Sequence, residues 1–350
     1  MTDHGYPDFL GFKERNLCDT ALRRIGRALV EKKAQFLFGA GMSRDSGLPL
    51  GPDLTKTLLR EFFANLEDED TAPDETLDRL TREFPAEAIA HAVEKKPGCK
   101  REDLTAALKA LLVEPQPQPH EAHRDFLSLL GVPPRIKSIF TTNYDELFEL
   151  ALGPDFATAI TERNATELDQ VRNAARIPVI HLRGRLDGDY LITEPDILTD
   201  RYQILMEEFR MTLHSADAFV FVGFSLNDVD FRKIYAEYLA TLDLRPTTGK
   251  DTYFVAPATD RYSWALGSAI WTLRRAVWIP LDAKTFFARL RGTVESLALT
   301  EIRAEVEKKY GVKGRGLADL IESTAQLWRL SREDALVFLF EARTRVGGSK

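Results

Sequence analysis

Four short stretches of this chain place residues capable of chemistry where the pattern predicts strands to end. "FGAGMS" (38–43) follows an apolar run, and "TTNYDE" (141–146) follows "IKSIF". "IPVIHLRG" (177–184) is itself an apolar run closing on a histidine and an arginine, and "VGFSLND" (222–228) follows "AFVF". Gly39, Ala40 and Gly41 make a small-residue turn that permits close backbone approach, and a helix starting there would offer free N–H groups to a pyrophosphate. Ser43 suits either a helix cap or a phosphate contact. Gly223 and Ser225 repeat the design after another strand, as the second half of a dinucleotide would require. In "TTNYDE", Asn143 reads as a helix N-cap with Glu146 as its capping-box partner, which leaves Thr142 and Asp145 unexplained. His181 can move protons near neutral pH, whereas Arg183 stays charged and cannot serve as a base.

Positioning these residues requires alternating strands and helices. "NLCDTALRRIGRALVEKK" carries apolar residues at helical spacing. The segment from about Leu54 to Leu112 reads as helices broken at "DEDTAPDE" and "KKPGCK", with "EPQPQPH" an extended connector. "DTYFVAP" and "RAVWIPL" read as further strands, and helical sequence dominates after Asp282. The expected fold is α/β: a doubly wound parallel sheet with a helical insert and a helical C-terminal part. The expected division is an N-terminal helix in 1–34, a sheet domain in 35–282 with its insert at about 54–120, and helices in 283–350. In such sheets ligands sit outside the carboxyl ends of the strands, at a topological switch point.

Composition narrows the class. With 350 residues, 44% hydrophobic and 29% charged, the sequence is that of a soluble globular chain. A net charge of −7 argues against direct nucleic-acid binding through phosphates. No apolar run reaches membrane-spanning length, and the polar start is not expected to be a signal peptide, so a cytoplasmic setting is expected. The two cysteines, Cys18 and Cys99, cannot supply a four-cysteine zinc site.

The order strand–GAGxS, TxNxD after a strand, a strand ending near His and Gly, then GxS after a strand resembles the sirtuin family across about Gln35 to Pro257. That resemblance implies a Rossmann-like fold which binds NAD+ as a substrate and cleaves its nicotinamide–ribose bond. Without the zinc module, the chain looks more like the sirtuin-like domains of bacterial antiphage systems, which deplete NAD+ on infection, than like protein deacylases. It implies that Asn143 holds ribose hydroxyls or a water, that Asp145 orients Asn143 or meets the nicotinamide end, and that Thr142 lines the pocket. Gly39, Ala40, Gly41 and Ser43 would take the pyrophosphate side, and Gly223 and Ser225 the adenosine ribose.

One position departs from the family. The family's catalytic histidine stands directly before the glycine, where this chain has Arg183 before Gly184. His181 lies two residues earlier, on the same strand face and about 6–7 Å away if the strand continues. The two resulting expectations are hydrolysis with His181 as displaced base and Arg183 holding ligand charge, or an NAD/ADP-ribose-binding scaffold without turnover. The resemblance also implies a homo-oligomer, or a partner such as a ring-shaped ATPase or a short Argonaute. The chain has no GxxxxGK[ST] phosphate loop of its own.

Overall fold

Alternation of inward residues builds a sheet whose two faces carry separate cores. The structure, a computed structural model, describes residues 6–63, 72–198, 202–224, 235, 251–273, 275–310, 327–330, 334–335 and 337–339. Seven parallel strands run in the order β3-β4-β2-β1-β5-β6-β7: β1 (Ala34–Phe38), β2 (Ile139–Thr141), β3 (Ala157–Ile160), β4 (Ile177–His181), β5 (Ala218–Val222), β6 (Asp251–Val255) and β7 (Ala276–Ile279). Phe36, Phe38, Val179, Val220 and Val222 face one side, while Leu37, Ile180, Phe219 and Phe221 face the other, as a two-residue period requires. This is the doubly wound architecture the sequence predicts.

Helices cover both faces. α1 (Phe12–Val30), α6 (Glu121–Ser128) and α12 (Ala283–Tyr310) share the first core, where Leu22, Ile25, Phe126, Phe286, Phe287 and Leu290 close over Phe36 and Phe38. This core draws residues from both sides of 34/35 and of 282/283, and α12 is a single helix. α8 (Leu168–Asn173), α10 (Gln203–Ser215) and α11 (Arg261–Leu273) supply the second core with Phe209, Leu213 and Trp271. Between β1 and β2 lies the insert: α2 (Gly51–Phe63), α3 (Asp74–Glu83), α4 (Ala86–Lys95) and α5 (Arg101–Leu112). It packs around its own apolar cluster, joined by Leu147, Leu186, Tyr190 and Ile192 from beside the sheet. Most of the last helical stretch expected, from Gly316 to Val346, lies outside the described residues.

Two strands form where simple propensity argues against them. "DFATAI" carries no strong strand signal, yet its tail forms edge strand β3, paired with β4 from Ala157↔Ile177 onward. Pro178 sits inside β4, where a missing N–H should cost a ladder bond. Ile177 donates toward the β3 side, to Phe156 O, so position 178 points toward β2. The β2 pairing begins only at Ile139↔Val179, so the proline lies before the ladder it would interrupt.

The first core also contains a pH-sensitive residue. His123 of α6 is fully buried, edge-on to Phe148 at 5.1 Å, and neither ring nitrogen has a hydrogen-bond partner. Burial, with a smaller push from His120, lowers its pKa to about 4. A folded pKa below the unfolded one gives stability that is present above the unfolded value and lost as pH falls through the folded one. The loss from this residue reaches about 3 kcal/mol at about pH 4. Urea midpoints of wild type should fall relative to those of His123→Leu on acidification, and a pH-independent gap between them would refute this assignment.

Candidate functional site

The pairing register brings the four stretches to one level. Phe38 pairs with Thr141 and with Val222, and Thr141 pairs with His181, so Gly39, Thr142, Leu182 and Gly223 leave the sheet side by side. The chain proceeds from β1 to β2 on one side and reaches β5 on the other. The crevice between β1 and β5 is therefore the switch point of the sheet.

At this level Asn143 is held on every side but one. Its backbone N–H donates to Thr141 Oγ1 at 3.0 Å, and its carbonyl lies 3.1 Å from His181 Nδ1. The side-chain amide donates to Gly39 O at 3.2 Å and to Ser43 Oγ at 3.0 Å. A carbonyl can only accept, which fixes the amide orientation and directs Oδ1 away from both partners. Both amide hydrogens are thus committed, and Oδ1 remains as an acceptor. Ser43 donates its own hydroxyl hydrogen bond to Asp145 Oδ2 at 2.7 Å. Burial lifts the Asp145 carboxyl above the usual carboxylate range, against the opposing pull of the Ser43 and Leu147 donors and of His181.

The cap expected at Asn143 is absent. α7 (Leu147–Leu152) begins after Glu146, and Asp145 Oδ1 accepts from the Leu147 N–H at 3.2 Å. Glu146 instead meets the Arg185 guanidinium. Asp145, left unexplained by the capping pattern, is the residue that accepts from the first N–H of the helix and binds Ser43. Thr142 is half-buried, with its N–H on Phe38 O.

The glycine turn also differs from the reading of a phosphate cradle at a helix start. Gly39–Ser43 leads into two short turns, Ala40–Met42 and Arg44–Ser46, and α2 begins only at Gly51. The N–H groups of Gly39, Gly41, Met42 and Ser43 donate to Val222 O, Gly223 O, Gly39 O and Ala40 O. Among the described residues the Ala40 N–H is the remaining donor of the turn. A Cβ on Gly41 would stand 2.6 Å from Gly223 Cα, so these glycines let two turns touch. Ser225 lies outside the described residues.

β4 ends at His181, and Gly184 N–H bonds back to His181 O at 3.0 Å, closing a turn through Leu182 and Arg183. Gly184 has φ +75°, a left-handed conformation that suits glycine. The extended backbone that would align His181 and Arg183 on one face therefore stops at His181. His181 is fully buried, with Nε2 2.7 Å from Glu149 Oε1 of α7. The Arg183 guanidinium lies 3.3 Å from Glu87 Oε1 on α4, both side chains being mostly buried, which ties the insert to the end of β4. Sequence patterns singled out neither Glu87 nor Glu149. For Glu149 the available signal was a carboxylate within the apolar run "LFELAL".

Sheet order and crevice define a doubly wound α/β protein with a polar, hydrogen-bonded cluster at its switch point. Residues 137–266 match the family model described as the SIR2-like domain. That span takes in Asn143, Asp145, His181, Arg183 and Gly223 and begins after the Gly39–Ser43 turn. One solved structure, titled "Structural Basis for the Mechanism and Regulation of Sir2 Enzymes", is 17% identical. The match covers 79% of this chain and 97% of that one, with a TM-score of 0.45. No curated protein matches the sequence. No described helix is long and apolar enough to cross a membrane.

Proposed function

We propose that the crevice binds NAD+ and that the protein is an NAD+ glycohydrolase, releasing nicotinamide and ADP-ribose. The observation carrying this reading is the Asn143 network, which leaves one amide acceptor, Oδ1, uncommitted beside the Gly39–Ser43 turn that borders the switch point, where dinucleotides bind in such sheets. An acceptor held on a rigid frame fits a ribose hydroxyl or a water, and the SIR2-like match over 137–266 covers this residue.

Cleavage of the glycosidic bond expels a neutral pyridine and leaves an oxocarbenium-like ribose. The protein's task is then to hold the sugar and to deliver water. Asn143 Oδ1 would accept from a ribose hydroxyl or orient the water, fixed by Gly39 O and Ser43 Oγ behind it. Asp145 would fix Ser43. The Ala40 N–H and the mouth beside Gly223 would take the phosphate side. Water attacking so electrophilic a carbon needs little prior deprotonation, so a strong base before Gly184 is dispensable on this route.

A second reading rests on Arg183, a permanent cation where the family places its base, already paired with Glu87. On that reading the chain binds NAD+ or ADP-ribose and turns over nothing. Incubation of the purified protein with NAD+ separates the two, since release of nicotinamide and ADP-ribose is expected from the hydrolase. Absence of both products in every assembly state, with ADP-ribose binding retained, would favour the scaffold. Arg183→His should then raise turnover from nothing.

The antiphage role, acting by NAD+ depletion, belongs to the same proposal and is supported by the resemblance to zinc-free sirtuin-like defence proteins. So does assembly, as a homo-oligomer or with an ATPase or short Argonaute partner. Tyr262, Leu266 and Leu273, exposed on α11, are apolar surface available to such contacts.

A further inference from the structure

We propose that His181 and Glu149 form a positioning pair that fixes the Asn143 peptide, and that neither acts on the substrate. The proposal rests on the reading of Asn143 as the residue that meets the ribose or water. Asn143 is clamped at both ends of its backbone, its N–H on Thr141 Oγ1 at 3.0 Å and its carbonyl on His181 Nδ1 at 3.1 Å. A carbonyl oxygen only accepts, so Nδ1 must carry a hydrogen. The other nitrogen, Nε2, lies 2.7 Å from Glu149 Oε1, and the ring is fully buried. Whichever group holds the proton between Nε2 and Glu149, no ring lone pair faces the crevice. A base needs such a lone pair within reach of the proton it removes.

The charges around the ring agree with this role. Burial disfavours the imidazolium, but the Glu149 carboxylate, its hydrogen bond and the Asn143 carbonyl outweigh burial and the opposing Arg185, raising the pKa above the ordinary histidine value. Arg185 Nη1 lies 3.7 Å from the same Glu149 oxygen, and Asp145 also faces the ring electrostatically. The second Glu149 oxygen is buried and has no hydrogen-bond partner, so Glu149 is committed to this cluster through Oε1 alone.

Substitution separates a positioning pair from a base. Glu149→Gln can keep the geometry: a neutral ring retains its Nδ1–H toward Asn143, and Nε2 accepts from the glutamine amide. Glu149→Ala removes the support and lets the ring turn. The expected kcat for NAD+ turnover is within about threefold of wild type for Glu149→Gln and about tenfold or more lower for Glu149→Ala, with KM little changed, since small displacements of a reacting group cost this much. Wild-type kcat should not rise with pH through the His181 pKa, as it would for a general base.

Histidine-selective 15N NMR of the ligand-free chain reads the ring independently of turnover, with His181→Gln assigning the signal. Wild type should carry a proton on Nδ1 and titrate above the ordinary histidine value, and Glu149→Gln should give the neutral Nδ1–H tautomer. A ring titrating like free histidine, or one carrying its only proton on Nε2, would overturn the pair. So would a folded Glu149→Ala variant with wild-type kcat. If the NMR result holds but no NAD+ is bound or cleaved, the hydrolase reading fails and the pair stands as a structural clamp.

Discussion

Asn143→Ala is expected to lower kcat for NAD+ cleavage by about 10²–10³-fold while leaving ADP-ribose binding within a few-fold of wild type. The magnitude is that of removing one preorganised polar contact to a developing charge or its nucleophile, about 3–4 kcal/mol of barrier. Binding survives because Asn143 supplies one acceptor among the contacts available to a dinucleotide. Fold should survive as well. The substitution removes donors from Gly39 O and Ser43 Oγ, each bond contributing about 1 kcal/mol net, and water entering at the crevice can replace them. Thermal unfolding should therefore show a small loss alongside the large kinetic one. Turnover by the alanine variant at the wild-type rate would remove Asn143 from the reaction.

Asn143→Asp sharpens the test. It is nearly isosteric but turns the amide donor into an oxygen 3.2 Å from the Gly39 carbonyl. Ser43 would then face two carboxylates with one hydroxyl proton. Burial already holds Asp145 above the usual carboxylate range, and a second carboxylate beside it is costly. This variant should lose activity and also lose stability as pH rises, because ionising both carboxyls becomes progressively less favourable in the folded state.

Periodicity read the sheet well because its strands are short apolar runs ended by small residues. "AQFLF", "ADAFVFV", "DTYFVA" and "RAVWI" all form strands. The weakly patterned "ATAI" was missed because an edge strand covered by one neighbour needs less apolar character than a central one. At the site, the stretches were legible and their internal wiring was not. Asn143 with Glu146 three residues on satisfies a local capping rule, yet the helix begins only at Leu147 and the amide bonds from the end of β2 to the turn after β1, to residues about a hundred positions earlier. Local rules cannot weigh such a contact. His181 and Arg183 share a face only while the strand persists, and the turn closed by Gly184 N–H on His181 O separates them. Glu87, which meets Arg183, comes from the insert, where sequence offered only an amphipathic helix.

Gly223→Ala is expected to cost about 3–4 kcal/mol of folding stability, a large share of the ~5–15 kcal/mol a domain commands. Gly223 has φ +76°, which an alanine adopts at about 1–2 kcal/mol. Its added Cβ would lie 2.6 Å from Met42 N and 2.8 Å from Gly41 Cα and C, all backbone atoms that no rotamer change can move aside. Relief requires the β1 and β5 turns to separate, which strains the Gly41 N–H bond to Gly223 O, 2.9 Å long here and contributing about 1 kcal/mol. Gly51 is the control. A Cβ there meets nothing within 4 Å, so Gly51→Ala should be neutral or stabilise by up to about 1 kcal/mol. Denaturant midpoints of the two variants decide what the glycines are for. If Gly223→Ala unfolds like wild type and loses only nucleotide binding, the glycine exists for close approach of a ligand. If stability falls as expected, the small residues exist first to let two strand ends meet, and Asn143 is aimed correctly because Gly39 O, its anchor, belongs to the turn that this contact holds in place.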